Sequence, residues 1–192
     1  MRSALLFLIG LAAMLAAGWT GFPKALYVSR PQPLQFNHQV HADKAGLECS
    51  GCHELRADGR FSGIPGISNC AGCHMEAQGT TAAEKQLVKD YVTPNREIPW
   101  LVYSRQPINA RFSHVNHVKT GKLACETCHG AHGKSTSLRP YLQNRISGYS
   151  HSVDGAYLIR TSLNPGDGMK MSDCERCHQQ RGVQTGCLSC HQ

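Results

Sequence analysis

The sequence predicts a mainly α fold with extensive loops, wrapped around bound groups rather than around an aliphatic core, plus one N-terminal transmembrane helix. Three observations carry this prediction. Only 41% of the 192 residues are hydrophobic, all ten cysteines fall in five copies of one short pattern, and residues 4–22 form an uncharged apolar run. A chain of this length holds one ordinary domain or two small ones. It has no long charge run and no low-complexity tract, which argues against disorder. Something other than aliphatic side chains must hold it together.

In chain order, the apolar run comes first and follows a single basic residue, Arg2. Its nineteen residues, rising about 1.5 Å each, nearly span a bilayer core. Trp19 and Phe22 fall at its outer end, where aromatic rings anchor membrane helices. The expected reading is an uncleaved anchor over residues 1–22. A cleaved signal peptide is the alternative, with Ala16-Ala17-Gly18 as an imperfect cleavage site.

The five cysteine patterns are Cys49-Ser50-Gly51-Cys52-His53, Cys70-Ala71-Gly72-Cys73-His74, Cys125-Glu126-Thr127-Cys128-His129, Cys174-Glu175-Arg176-Cys177-His178 and Cys187-Leu188-Ser189-Cys190-His191. CxxCH is the attachment pattern for c-type haem. Two thiols three residues apart share one helical turn and reach the two vinyl groups of one haem. The adjacent histidine (His53, His74, His129, His178 or His191) then supplies the first axial nitrogen to iron. Structural zinc also uses CxxC pairs, but it does not require a histidine directly after each one. A redox dithiol needs one pair, not five. Five covalent haems c are therefore expected, with no cysteine left for a disulfide or an iron–sulfur cluster. A sixth haem would lack thioethers. Bacteria attach c-type haem outside the cytoplasm, so the expected location is the inner membrane, with the haem domain facing the periplasm.

The formal charge of +7 would ordinarily suggest nucleic acid or anionic lipid as a partner. Each haem brings two propionates and a ferric core of about +1, so five bring roughly −5. Basic residues such as Lys44, Lys119, Lys122 and Lys134 then serve to neutralise propionates, and no nucleic-acid partner is expected.

An internal repeat runs at an offset of 76 residues. Phe36-Asn37-His38-Gln39-Val40-His41 precedes the first motif, and Phe112-Ser113-His114-Val115-Asn116-His117 precedes the third. In both copies the Phe lies 13 residues before the first Cys and the two His lie 11 and 8 before it. This divides the chain into a first haem module at 23–93 with two haems, a linker at 94–111 and a second module at 112–192 with three. Within the first, residues 81–92 read as a helix. Thr81 and Glu84 form a capping box, Leu87/Tyr91 and Val88/Val92 are i,i+4 pairs, and Pro94 stops it. The linker carries Trp100-Leu101-Val102-Tyr103, readable as packing on haem edges or as docking to a partner. Residues 133–173 contain no motif and read as a long functional or partner-facing loop.

Six histidines remain after the motifs: His38, His41, His114, His117, His132 and His151. Five haems need five distal ligands, so bis-His coordination throughout leaves one histidine spare. Histidines three apart on a helical turn point about 60° apart, so neighbours can serve two haems. Met75, Met169 and Met171 are alternative ligands, although methionine more often simply packs. Bis-His ligation lacks the thioether that raises potential in His/Met cytochromes, so low potentials follow.

Phe-x-His-x-x-His followed by CxxCH resembles the class III cytochromes c, the c3 and trihaem c7 families. The 13-residue spacing of Cys174 and Cys187 is similar to that of the last two c7 haems, whereas the long stretch between His129 and Cys174 departs from the compact pattern. Taken whole, the chain resembles the multihaem cytochrome subunits of menaquinone reductase (Qrc) and of alternative complex III. The resemblance implies short helices and loops in c3/c7-like modules around stacked haems. It implies integral-membrane and iron–sulfur or molybdopterin-like partner subunits, and a soluble periplasmic cytochrome c as redox partner. It also implies electron transfer, favoured toward menaquinone, with no substrate chemistry in this subunit. In the ligand scheme it implies, His38 and His114 serve the haems of His53 and His129, while His41 and His117 serve those of His74 and His178. His151 is left for His191, with His132 spare or exchanging roles with it. The competing classes are a NapC/NrfH-type quinol dehydrogenase and a multihaem periplasmic reductase. The first lacks Phe-x-His-x-x-His. The second needs an iron with an open position, often marked by CxxCK, and all five motifs here end in His.

Overall fold

The computed structural model describes residues 2–21, 25–60, 62–103, 109–146, 169 and 171–191. Helix α1 (Arg2–Ala16) is built from Leu, Ala and Met, strong helix formers. It continues through a wider turn at Ala17–Gly21. Together these make 20 helical residues of mean hydropathy 1.9, none of them buried against protein. That length and apolarity suit a bilayer core.

Strand β1 (Tyr27–Arg30) pairs antiparallel with β2 (Tyr141–Asn144), with Tyr27 opposite Asn144 and Arg30 opposite Tyr141. This strand lies in the stretch that the sequence reads as loop. Tyr-Leu-Gln-Asn is too short to show a period, and only its partner across the chain makes it a strand.

The remaining helices are short, as befits a scaffold for ligands: α2 (His38–Asp43), α3 (Cys49–Cys52), α4 (Ile67–Ala71) and α5 (Ala82–Leu87), then α6 (Val115–Thr120), α7 (Glu126–His129), α8 (Met171–Gln180) and α9 (Cys187–Cys190). The Asn37 side chain caps α2 by accepting the Val40 N–H at 3.0 Å. Helix α5 starts where expected, with Thr81 Oγ1 accepting the Glu84 N–H at 3.2 Å. The second half of the expected capping box is different. The Glu84 carboxylate accepts from Gln78 N–H at 2.7 Å and Gly79 N–H at 2.8 Å, in the chain just before the helix. Beyond Leu87 the helix widens into a π turn over Val88–Val92.

This helix carries the hydrophobic core. Leu87, Tyr91 and Val92 pack with Leu34, Ile67 and Ile98, and Trp100 lies against them. The apolar run at 100–103 thus turns inward. Gln32, buried, holds the Leu101 backbone from both sides, donating to its carbonyl at 2.8 Å and accepting its N–H at 3.1 Å. The Tyr103 ring meets the Tyr141 ring at 5.7 Å. Among the described residues no side chain is fully buried. One small core cannot organise the rest, where the described histidines recur at partly exposed positions.

Candidate haem-binding site

The histidine N–H returns to the first cysteine's carbonyl from His53 to Cys49 at 2.8 Å, His74 to Cys70 at 2.9 Å, His129 to Cys125 at 3.0 Å and His191 to Cys187 at 2.9 Å, while Cys174 to His178 lies wholly within helix α8. One tight turn therefore gathers two thiols and an imidazole, as one haem requires.

The repeated Phe-x-His-x-x-His segments fold alike. The Phe36 ring lies edge-on to His38 at 4.7 Å and stacks on His41 at 4.3 Å. Phe112 meets His114 at 4.8 Å and His117 at 4.4 Å in the same two geometries. The second histidine of each segment is further fixed through Nδ1, which donates to the Asn37 carbonyl from His41 at 2.8 Å and to the Ser113 carbonyl from His117 at 2.7 Å. One phenyl ring thus orients two imidazoles, which explains the Phe in the pattern.

Three histidine pairs face one another. The ring centroids of His41 and His74 are 6.1 Å apart, those of His114 and His129 6.4 Å, and those of His117 and His178 5.9 Å. The last two pairs are close to parallel, with interplanar angles of 4° and 16°. Imidazoles bound through Nε2 on opposite sides of one metal, each about 2 Å from it, hold their centroids about 6 Å apart. Hydrogen bonds at Nδ1 leave Nε2 as the free nitrogen. His53 donates from Nδ1 to the Gly63 carbonyl at 2.9 Å and His114 to the Arg60 carbonyl at 2.8 Å. The donor set fits haem iron, which His41 with His74, His114 with His129 and His117 with His178 would hold, and such a group would supply one-electron exchange.

His38 sits differently. Its ring lies 5.2 Å from that of His132, tilted by 56°, and its Nδ1 hydrogen-bonds with Ser135 Oγ at 3.1 Å. Burial, then the neighbouring His132, His53 and His41, hold its pKa down to about 4. The ring stays neutral, the form that binds a metal, until the pH nears that value. His129 and His132 are also lowered, first by burial. The fold thus places His132, the expected spare, beside His38. His151, Met169's neighbours and the rest of 147–168 lie outside the described residues, so the expected His151–His191 pair does too. Met75 and Met171 are exposed.

The thiols of different motifs are neighbours. Burial pushes Cys70, Cys125, Cys128 and Cys174 up, and the adjacent Cys52, Cys49, Cys177 and Cys128 respectively push them further.

One residue with a bearing on the site escaped sequence reasoning. Glu84 Oε1 lies 3.0 Å from His74 Nδ1. That nitrogen is buried and outside good hydrogen-bond alignment, so the contact is one of charge proximity. The sequence assigns Glu84 a capping role, and nothing local points it back at His74.

Comparison with known proteins agrees with this geometry. The cytochrome c3 family profile matches residues 40–141, reaching from the first repeat through the third motif. The chain is also similar to the menaquinone reductase multiheme cytochrome c subunit of Nitratidesulfovibrio vulgaris (strain Hildenborough), at 36% identity over 200 aligned residues. That match covers 96% of this chain and 88% of its relative. A likeness over nearly the whole chain at such identity establishes kinship, and with it c-type haem as the cofactor: the chain belongs to the cytochrome c3 family of multihaem cytochromes.

Proposed function

We propose that this chain is the pentahaem electron-transfer subunit of a membrane-bound quinone oxidoreductase, anchored by α1 with its haem domain in the periplasm. It exchanges electrons between a soluble periplasmic cytochrome c and quinone-linked partner subunits, in the direction of menaquinone. The observation that carries this reading is the set of histidine pairs at 5.9, 6.1 and 6.4 Å. Irons closed on both faces leave no position for a substrate, so the protein's part is to hold haems rigidly and tune their potentials. The relative's role in menaquinone reductase supports the choice of complex. The 20-residue apolar helix supports the anchor.

Two measurements test this. Carbon monoxide added to the reduced holoprotein is expected to leave its spectrum unchanged, whereas a CO-bound form would indicate an open iron and a catalytic role. Affinity purification from membranes is expected to bring down integral-membrane and iron–sulfur subunits. Recovery of the cytochrome alone, with full activity toward a small oxidant, would overturn the reading.

A further inference from the structure

Each repeat is docked on the other. The Gln39 N–H in α2 donates to the Ser135 carbonyl at 3.2 Å, and the Val115 N–H in α6 donates to the Gly59 carbonyl at 3.1 Å. Gln39 and Val115 are 76 residues apart, and so are Gly59 and Ser135. The two bonds are therefore one bond made twice in opposite directions. The first histidine of each segment also reaches across, His38 Nδ1 to Ser135 Oγ at 3.1 Å and His114 Nδ1 to the Arg60 carbonyl at 2.8 Å, on neighbouring rather than equivalent partners. Contacts in which each copy gives the other what it receives mark an isologous interface about a two-fold axis. Here the axis relates two segments of one chain. The approach is close: Gly59 has φ +68°, and a Cβ there would lie 3.0 Å from Val115 Cγ2.

We infer that the five CxxCH motifs lie in space in the order second, first, third, fourth, fifth, with the pseudo-two-fold axis between the first and the third. The inference rests on the proposed haem loading and deepens it, because it names the carriers at the two ends. Helix α2 meets the second motif through His41, which lies opposite His74, and it meets the first through His38, which is within electrostatic reach of His53. Helix α6 and its leading His114 do the same for the third and fourth, with His114 facing His129 and His117 facing His178. The fifth motif follows the fourth after eight residues, and its Cys190 carbonyl accepts the Arg111 N–H at 2.6 Å.

The thiols trace the same path. Cys70 lies within electrostatic reach of Cys52, Cys125 of Cys49, Cys128 of Cys177, and Cys174 of both Cys128 and Cys190. Cys49 and Cys125 occupy equivalent positions in the repeat. Equivalent residues of two related copies come near each other only close to the axis, so the junction between the repeats lies there. The second motif closes one end of the file, its helix α4 seated on the apolar core through Ile67. The fifth closes the other, where Leu188 is 80% exposed. Exchange with partners belongs to these two ends.

Cryo-electron microscopy of the haem-loaded full chain, purified in its complex, tests the order directly. The iron at Cys49/Cys52 is expected to lie between those at Cys70/Cys73 and Cys125/Cys128. An iron at Cys70/Cys73 lying between the first and third would overturn the order and leave the electron-transfer role standing. Fewer than five covalent haems by intact mass would overturn both. A second measurement reads the exchanged contact. In Gly59→Ala the added methyl presses on Val115 beside His114, so the electron paramagnetic resonance signal that shifts is expected to be the one His114→Met also alters. A shift confined to the signal altered by His38→Met would overturn the reciprocal docking.

Discussion

Phe36 and Phe112 each contact two imidazoles, so one phenyl ring sets the relative orientation of two candidate iron ligands. The consequence is testable at His117, which faces His178 at 5.9 Å. His117→Ala is expected to turn one haem high-spin, the one at Cys174 and Cys177, as read by electron paramagnetic resonance and visible absorbance. If the haem at Cys125 and Cys128 changes instead, the crossed-ligand scheme is wrong. Glu84 offers a second test at this scale. Its carboxylate, 3.0 Å from His74 Nδ1, puts negative charge beside that imidazole, which favours ferric iron. Glu84→Gln is expected to raise the potential of one haem, that at Cys70 and Cys73, with the haem count unchanged. A redox titration in which no component moves would dismiss the electrostatic role.

At the scale of elements, the short helices depend on what they hold, because pieces of four to six residues are far below the length at which isolated helices persist. Helix α5 with its π turn is the exception, having both a side-chain cap and an apolar face. Leu87 is 8% exposed within the core cluster of the described residues. Leu87→Ala is expected to cost about 2–4 kcal/mol in denaturant unfolding of the holoprotein, while the haem spectra stay as they were. Spectral changes at several haems would mean that this core also positions the ligands of the second module. The limits of α5 were readable from Thr81 and Pro94, since caps and breakers act locally. The Tyr27–Arg30 pairing with Tyr141–Asn144 was not, since neither strand declares itself without the other.

For the whole molecule, the apolar helix stands apart from the remainder. A chain beginning at Pro23 behind a cleavable signal is expected to mature in the periplasm with five haems, remain soluble and lose complex-bound electron transfer. Fractionation of cells with haem staining checks this. Membrane retention of the shortened chain would move the anchoring role to the partner subunits. The contacts between the repeats bear on how the rest is assembled: α2 of the first segment lies on Ser135 of the second, and α6 of the second lies on Gly59 of the first. Losing either segment therefore removes hydrogen-bond partners from the other's histidines.

Haem chemistry was legible in the sequence because attachment is local: two thiols and the proximal imidazole lie within five residues on one helical turn. The repeat was equally legible, and by resemblance it implied four pairs: the fold stacks His114–His129 and His117–His178, brings His41 within 6.1 Å of His74 at a tilt, and places His38, implied for the haem of His53, beside His132. The repeat left open how its copies meet, because two similar segments can stack head to tail or pair about a two-fold axis with the same sequence offset. Only the tertiary structure decides between these. It does so through backbone hydrogen bonds from Gln39 and Val115, whose partners lie far along the chain and whose geometry no local spacing encodes.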